Sequence, residues 1–310
     1  MGSKTGDTTL GQALRSAVAE LTAAGVGEAA GDARRLVAAA IGGTAADVIR
    51  DPGRVLSAAE LDRLEVHVRR RCTREPVSRI LGEREFYGRS FAITPAVLDP
   101  RPDTETLIEV ALDICAREGW RDRPIRVLDI GTGSGAILLT MLAELPLATG
   151  VGLDVSDGAL ACAARNAAAL GLSVRSSFVT GDMREASLKG YDLVLSNPPY
   201  IPAAEIAGLA PEVANFDPRL ALNGGADGLD YYRIVLARMA QSAKVAQAPR
   251  WLVLEAGAGQ SRDVVQIVRA AGFFAAGRNS ILRRDLGGVT RCVAIQTRSQ
   301  CNRGKSLERR

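Results

Sequence analysis

The chain has 310 residues, with 39 Lys and Arg against 35 Asp and Glu, a formal charge of +4. Residues 297–310 hold five of the basic groups and one acid, leaving 34 of each sign in residues 1–296; the excess is a basic tail, which excludes a broad basic face as its source. A hydrophobic content of 47% supplies a core, the single histidine (His67) excludes a His-rich metal site, and five scattered cysteines (Cys72, Cys115, Cys162, Cys292, Cys301) match neither a zinc ribbon nor a disulfide framework.

No run approaches the ~18 apolar residues of a membrane span, and Met1 to Gly6 is no signal peptide, so a soluble, cytoplasmic protein is expected. Residues 1–82 read as short helices. Leu10, Leu14, Val18 and Leu21 recur at helical spacing up to Gly25, and Asp32 to Ile41 forms a second helix closed by Gly42-Gly43. Ser57 and Glu60 form a capping box for a helix running to about Thr73, broken by Pro76. Arg69-Arg70-Arg71 in its last turn reads as a solvated helix end that complements the dipole, and His67 as structural.

Residues 83–99 read as a hairpin connector, with Gly88 in the turn. Pro100-Arg101-Pro102-Asp103 fixes an extended turn, with Asp103 expected to cap a helix from Thr104 to about Glu118. Strands follow at 126–130, 150–153, 174–179, 191–196 and 251–254, alternating with helices at about 135–145, 157–170, 228–242 and 260–271. Ile281–Leu282 and Cys292–Ile295 suggest closing, antiparallel strands. The alternation predicts an α/β fold, a doubly wound sheet covered on both faces. Residues 302–310 lack apolar periodicity and are expected to be disordered.

Val127-Leu128-Asp129-Ile130 runs into Gly131-Thr132-Gly133-Ser134-Gly135, a D-x-G-x-G-x-G pattern, not the G-x-G-x-x-G of dinucleotide folds. Alone it is a tight strand–helix turn. Asp154 ends the next strand, where a carboxylate suits a ribose diol. Asp182-Met183 follows the third, placed for an adenine edge and face. Three strand ends in register point to an adenosine ligand.

The fourth strand ends in Asn197-Pro198-Pro199-Tyr200. Two prolines could simply end a strand, but this tetrapeptide suits a planar NH2 group. An amide nitrogen is a poor nucleophile because its lone pair is delocalised. The Asn197 side-chain oxygen and the Pro198 carbonyl can each accept one of its N–H groups and aim it, while Pro199 stiffens the loop and Tyr200 offers a stacking face. A sulfonium methyl on an adenosine cofactor is a fitting electrophile and needs no metal.

From about Glu75 to Val293 the chain resembles the HemK/PrmC family of S-adenosylmethionine-dependent protein-(glutamine-N5) methyltransferases. The motifs that carry this are Ile80 to Glu83, Phe86-Tyr87-Gly88, Pro100 to Glu105, Asp129 to Gly135, Asn197 to Tyr200, Asp217 to Leu222 with Gly224-Gly225 and Asp227-Gly228-Leu229, Glu255-Ala256-Gly257, and Asp285 to Gly288. Asn197 to Tyr200 is shared with nucleic-acid base methyltransferases; Pro100–Pro102 with Asp217–Leu229 is far more selective. Two departures stand out: Met183 where relatives often carry Trp, and Asp99 where an apolar residue normally precedes the turn.

The resemblance implies a Rossmann-like class I methyltransferase sheet over residues 83–300, a small N-terminal helical-bundle domain for substrate recognition over 1–82, and a tail at 301–310. It implies S-adenosyl-L-methionine held by Gly131, Thr132, Gly133, Ser134, Gly135, Asp154, Asp182, Met183 and Asn197. Asn197, Pro198 and Tyr200 would be catalytic, with Pro199, Arg101 and Pro102 joining them around the substrate. That substrate would be the glutamine of the Gly-Gly-Gln motif in class I peptide chain release factors, which places the activity in translation termination; no metal is implied. A ribosomal-protein glutamine is the alternative. A nucleic-acid base is disfavoured because residues 91–296 hold 20 basic and 22 acidic groups without aromatic–basic interleaving, so neither a nucleic-acid substrate nor a membrane is expected. A catalytically silent scaffold is disfavoured by the intact tetrapeptide, and an NAD oxidoreductase by the glycine spacing.

Overall fold

A computed structural model describes residues 8–244, 249–273, 280–285 and 287–297; the expected disordered tail at 302–310 lies outside them. The chain divides into two compact units, Met1–Glu83 with Ala210–Phe216, and the remainder.

The first unit is helical: α1 (Leu10–Ala23), α2 (Ala29–Ala40), α3 (Ala45–Arg50), α4 (Ala58–Cys72) and α5 (Val77–Leu81). Capping boxes at Thr9/Gln12, Thr44/Asp47 and Ser57/Glu60 start α1, α3 and α4, each contributing about 1 kcal/mol. Leu21, Leu36, Val37 and Val68 are among the buried residues of its core. α2 begins three residues before Asp32, because Asp32 is a buried acid inside the helix, paired to Arg35 at 2.5 Å and Arg71 at 2.7 Å. The reading of Arg69–Arg71 as a solvated end holds for Arg69 and fails for Arg71. Arg71 is buried and also meets Glu212 at 2.9 Å, since a desolvated guanidinium needs carboxylates around it. Pro76 both ends α4 and opens α5, its fixed φ of −58° suiting a helix start. His67 is half-buried and burial lowers its pKa, consistent with a structural histidine.

The second unit opens with a hairpin, β1 (Glu83–Phe86) and β2 (Arg89–Ala92), whose two-residue turn places Tyr87 and Gly88 at φ 50° and 70°. After a short 3₁₀ turn at Pro102–Thr104 come α6 (Glu105–Arg117), β3 (Arg126–Ile130), α7 (Ala136–Glu144), β4 (Thr149–Asp154), α8 (Asp157–Ala169), β5 (Ser176–Thr180) and β6 (Leu193–Ser196). The one-turn helix α9 (Pro211–Ala214) belongs to the first unit; in the second, the one-turn helix α10 (Arg219–Leu222) precedes α11 (Asp230–Lys244), β7 (Trp251–Glu255), α12 (Ser261–Ala270), β8 (Ser280–Arg284) and β9 (Thr290–Gln296). Asp103 does not cap α6, whose N-cap position is Thr104 and carries no side-chain cap; it pairs with Arg291 at 2.8 Å instead. β5 begins at Ser176, not 174, and Val174 is 98% exposed in the preceding turn.

Seven strands form one sheet in the order β5-β4-β3-β6-β7-β9-β8, parallel from β5 to β7 with β9 antiparallel between β7 and β8. Alternation along the strands sends Val127, Leu193, Leu195 and Val253 into one apolar layer with α6, α7 and α8. Leu128, Ile130, Val194 and Leu252 go to the other, with α11 and α12. This is the doubly wound architecture expected. Strand order reverses at β3, whose neighbours are β4 and β6, so a crevice opens at their carboxyl ends. Among the described residues no helix is long and apolar enough to cross a membrane.

Candidate active site

A cavity of about 280 Å³ occupies that crevice. Gly131 and Gly133 form its floor, with φ of 73° and 55° and open space where a Cβ would stand. The turn is pinned from behind: the N–H groups of Gly131 and Thr132 donate to Leu153 O at 2.8 and 3.0 Å. Thr132 turns inward and donates to Asp129 Oδ2 at 2.7 Å. Burial pushes the Asp129 carboxyl up to about 7 against that hydrogen bond. Ser134 is buried and its carbonyl accepts from Asn166 Nδ2 at 2.8 Å, while Gly135 packs against Leu139 and Ala163. Of the five turn residues, then, Gly131 and Gly133 line the cavity, and Thr132, Ser134 and Gly135 brace it from outside the lining.

Asp154 lines the opposite side. Its Oδ2 accepts from Gly133 N at 2.9 Å and its Oδ1 from Ser156 N at 3.0 Å, which fixes the carboxylate and leaves lone pairs on both oxygens. Asp182 and Met183 also line it. A hydrogen bond from Arg184 N lowers the Asp182 carboxyl, and Arg184 Nη1 adds a 2.8 Å contact. Backbone without Cβ, a fixed carboxylate with free acceptors and a thioether side chain fit a polar, diol-bearing nucleoside.

Asn197 and Pro199 form the wall nearest β6, and Asn197 Nδ2 donates to Thr104 Oγ1 at 3.2 Å, leaving Oδ1 as its free acceptor. Pro218, Leu220 and Ala221 line the cavity from the segment that the sequence marks as family-selective, and Tyr231 lines it from the start of α11. Pro198 and Tyr200 lie outside the lining. The Tyr200 ring packs toward the α11–α12 side, burial raises its hydroxyl to about 12, and its carbonyl accepts from Gln260 Nε2 at 2.8 Å. Arg101 pairs with buried Asp217 at 2.5 Å, and Pro102 begins the 3₁₀ turn that ends at Thr104; neither lines the cavity. Asp99 is accommodated by charge: Arg84 lies 3.7 Å away, and its N–H donates to Asp217 Oδ1.

Sequence reasoning gave Thr104, Glu255 and Arg291 no role. Glu255 ends β7 at the same edge of the sheet and is buried, with its carboxyl raised to about 7 by burial; hydrogen bonding from Thr104 and the charge of Arg291 oppose the rise. The available signal was its place as an acid at a strand's carboxyl end, shared with Asp154.

The sheet order and the strand-end cavity define a methyltransferase-type α/β protein, and residues 118–211 match the methyltransferase small domain. The catalytic domain of human METTL16 in complex with the MAT2A 3′UTR hairpin 6 has the same fold, with a TM-score of 0.55 at 17% identity, covering 80% of this chain and 86% of that one. Residues 12–82 match the PrmC N-terminal domain. Release factor glutamine methyltransferases align along nearly the whole chain. That of Rhodospirillum rubrum is 45% identical over 290 residues, 94% of this chain and 86% of the relative. That of Cereibacter sphaeroides is 46% identical over 285 residues, 92% of this chain and 97% of the relative. The Bradyrhizobium diazoefficiens protein is 43% identical over 300 residues, covering 96% and 99%. The chain belongs to the release factor glutamine methyltransferase family.

Proposed function

We propose that this protein is an S-adenosyl-L-methionine-dependent methyltransferase acting on the side-chain amide N5 of the glutamine in the Gly-Gly-Gln motif of class I peptide chain release factors. The observation that carries the reading is the Asn197 carboxamide, held by Thr104 in the cavity wall with its oxygen left to accept. S-adenosylmethionine, when bound, supplies a sulfonium methyl whose transfer is downhill. Gly131 and Gly133 admit it against bare backbone, and Asp154 accepts from its ribose hydroxyls. Asn197 Oδ1 and the Pro198 carbonyl accept the two N–H groups of the entering amide, fix its plane and aim the nitrogen's electron density. Catalysis by orientation needs no strong base, consistent with the absence of a histidine other than His67 from the chain. Thr132, Ser134 and Gly135 support the cofactor turn, Asp182 and Met183 receive the adenine, and Arg101 and Pro102 shape the substrate side with Pro199 and Tyr200. The helical unit of residues 1–82 recognises the release factor, nucleic acid is not a substrate, and the protein works in the cytoplasm.

The test is transfer of labelled methyl from S-adenosylmethionine with purified release factor, ribosomal protein and RNA offered side by side. Label is expected on the release-factor glutamine alone. Label confined to RNA or to the ribosomal protein overturns the proposal.

A further inference from the structure

A peptide carbonyl accepts hydrogen bonds and never donates, so whatever faces it must be a donor. The Tyr200 carbonyl closes the Asn-Pro-Pro-Tyr tetrapeptide. Facing it is Gln260 Nε2, 2.8 Å away and 60 residues later, at the N-cap position of α12. That contact settles which way the glutamine carboxamide lies, because turning it over would set Oε1 against another oxygen. The same peptide bond is held from its other side, where Ile201 N donates to Leu222 O at 3.0 Å. Two separate segments thus pin one peptide plane. It directly follows the residues that hold the substrate amide in the function proposed above, on which this inference rests.

Local stability is given up to place the Gln260 side chain. Gln260 stands at the N-cap of α12 yet makes no capping hydrogen bond. Its Oε1 is a buried acceptor with no hydrogen-bond partner among the described residues. The side chain reaches Tyr200 past two glycines from different motifs. A Cβ at Gly228 would stand 2.6 Å from Nε2, and one at Gly257 would strike Oε1. A forgone cap, an unmet acceptor and two bare positions converge on one contact, and that contact ends on the tetrapeptide.

What the tetrapeptide must supply is position. Pro198 and Pro199 have locked φ angles, so the loop is stiff, and an error at its end is carried back to the Pro198 carbonyl and Asn197 Oδ1. Its start is fixed by the sheet: Ser196 pairs with Ile130 and Leu254, and its hydroxyl donates to Ile130 O at 2.8 Å. We propose that Gln260 is a positioning residue for methyl transfer: by donating to the Tyr200 carbonyl it fixes the exit of the tetrapeptide, and with it the aim of the two acceptors that hold the substrate amide. Gln260 does not line the cavity, so its loss should be felt in turnover and not in cofactor binding.

Gln260→Met, which keeps length without a donor, and Gln260→Asn, which keeps the donor one methylene short, test this in the full-length protein. In release-factor methylation each should lower kcat by about tenfold, with the Kd of S-adenosylhomocysteine within about threefold of wild type. A substrate-independent readout is the Tyr200 carbonyl itself. Tyr200–Ile201 is the one Tyr-Ile step in the sequence, so carbonyl-¹³C tyrosine combined with ¹⁵N isoleucine labels this peptide bond alone. Its ¹³C resonance should move upfield in both variants as the hydrogen bond is lost. Wild-type kcat in Gln260→Met, an unmoved carbonyl resonance, or cofactor Kd and kcat worsening together would each overturn the inference. So would failure of both variants to fold, which would make Gln260 a structural residue. Failure of the wild type to label release factor instead overturns the proposed function; kcat is then read on whichever of ribosomal protein and RNA takes label, and the resonance reports the contact in either case.

Discussion

Arg101 and Asp217 form a 2.5 Å ion pair that joins the Pro-Arg-Pro turn to the Asp217–Leu229 stretch, 116 residues apart in sequence. The two most family-selective motifs are thus one structural feature. The Asp217 side chain is 1% exposed and that of Arg101 35%, so the carboxylate depends on its partner more than the guanidinium does. Removing a partner of a buried pair costs about 3–5 kcal/mol, and the exposure of Arg101 puts this case at about 2 kcal/mol. Arg101→Ala should lose that much in urea denaturation. It should also weaken cofactor binding, because Pro218, Leu220 and Ala221 line the cavity directly after Asp217. Isothermal titration of both proteins with S-adenosylhomocysteine measures the second effect.

Gly228 in the same stretch and Gly257 after β7 both approach Tyr200 of the Asn-Pro-Pro-Tyr loop. A Cβ at Gly228 would run into the Tyr200 carbonyl, which is backbone, and the residue sits at φ 76°. A Cβ at Gly257 would meet chiefly the end of the Gln260 side chain, with Tyr200 Cδ2 at 2.9 Å. Backbone cannot give way as a side chain can. Gly228→Ala should therefore lower stability by about 2 kcal/mol or more and kcat by about a hundredfold, and Gly257→Ala by clearly less in both. Thermal melts with single-turnover kinetics rank the two, and equal effects would contradict the packing argument.

The strands and most long helices were legible because apolar period and capping chemistry agree: Ser57 with Glu60 marks a helix start in sequence and forms the box in space. The cofactor side was legible for the same reason, since glycines and acids at successive strand ends have a shared meaning in an α/β sheet. The failures have a common origin in long-range pairing. Asp103 looks like a cap and pairs with Arg291; Arg71 looks like a solvated end and is taken by Asp32 and Glu212. Glu255 looks like one acid in a short motif until the fold puts it beside Thr104. Partners this far apart leave no local pattern.

Glu212 illustrates the energetic side of such pairing. Burial alone would raise its carboxyl, yet hydrogen bonds from Arg74 at 2.7 Å and Arg71 at 2.9 Å bring it to about 2 from an ordinary 4.5. A carboxyl depressed in the folded state stabilises fully above its unfolded pKa and loses that contribution as pH falls through the folded value. The loss here should run from about pH 4.5 to pH 2 and amount to roughly 2 kcal/mol. Glu212→Gln should be less stable than wild type at pH 7, with the gap closing in that window. Urea titrations at stepped pH show this directly, and a constant gap would exclude the linkage.

Glu255 should show the opposite sign. Its carboxyl is raised to about 7 from 4.5, mainly by burial, so the folded state holds a proton that the unfolded chain releases earlier. Stability should therefore fall as pH rises from about 4.5 to 7, and above that the buried carboxylate should cost roughly 2–3 kcal/mol. Glu255→Gln removes the charge with little change of shape, so at pH 8 it should melt higher than wild type. Thermal melts of both proteins at stepped pH measure the gap, which should widen from about pH 4.5 to pH 7. A gap that stays constant would exclude the linkage, because only a carboxyl that holds its proton longer in the folded state than in the unfolded chain makes stability depend on pH in that window.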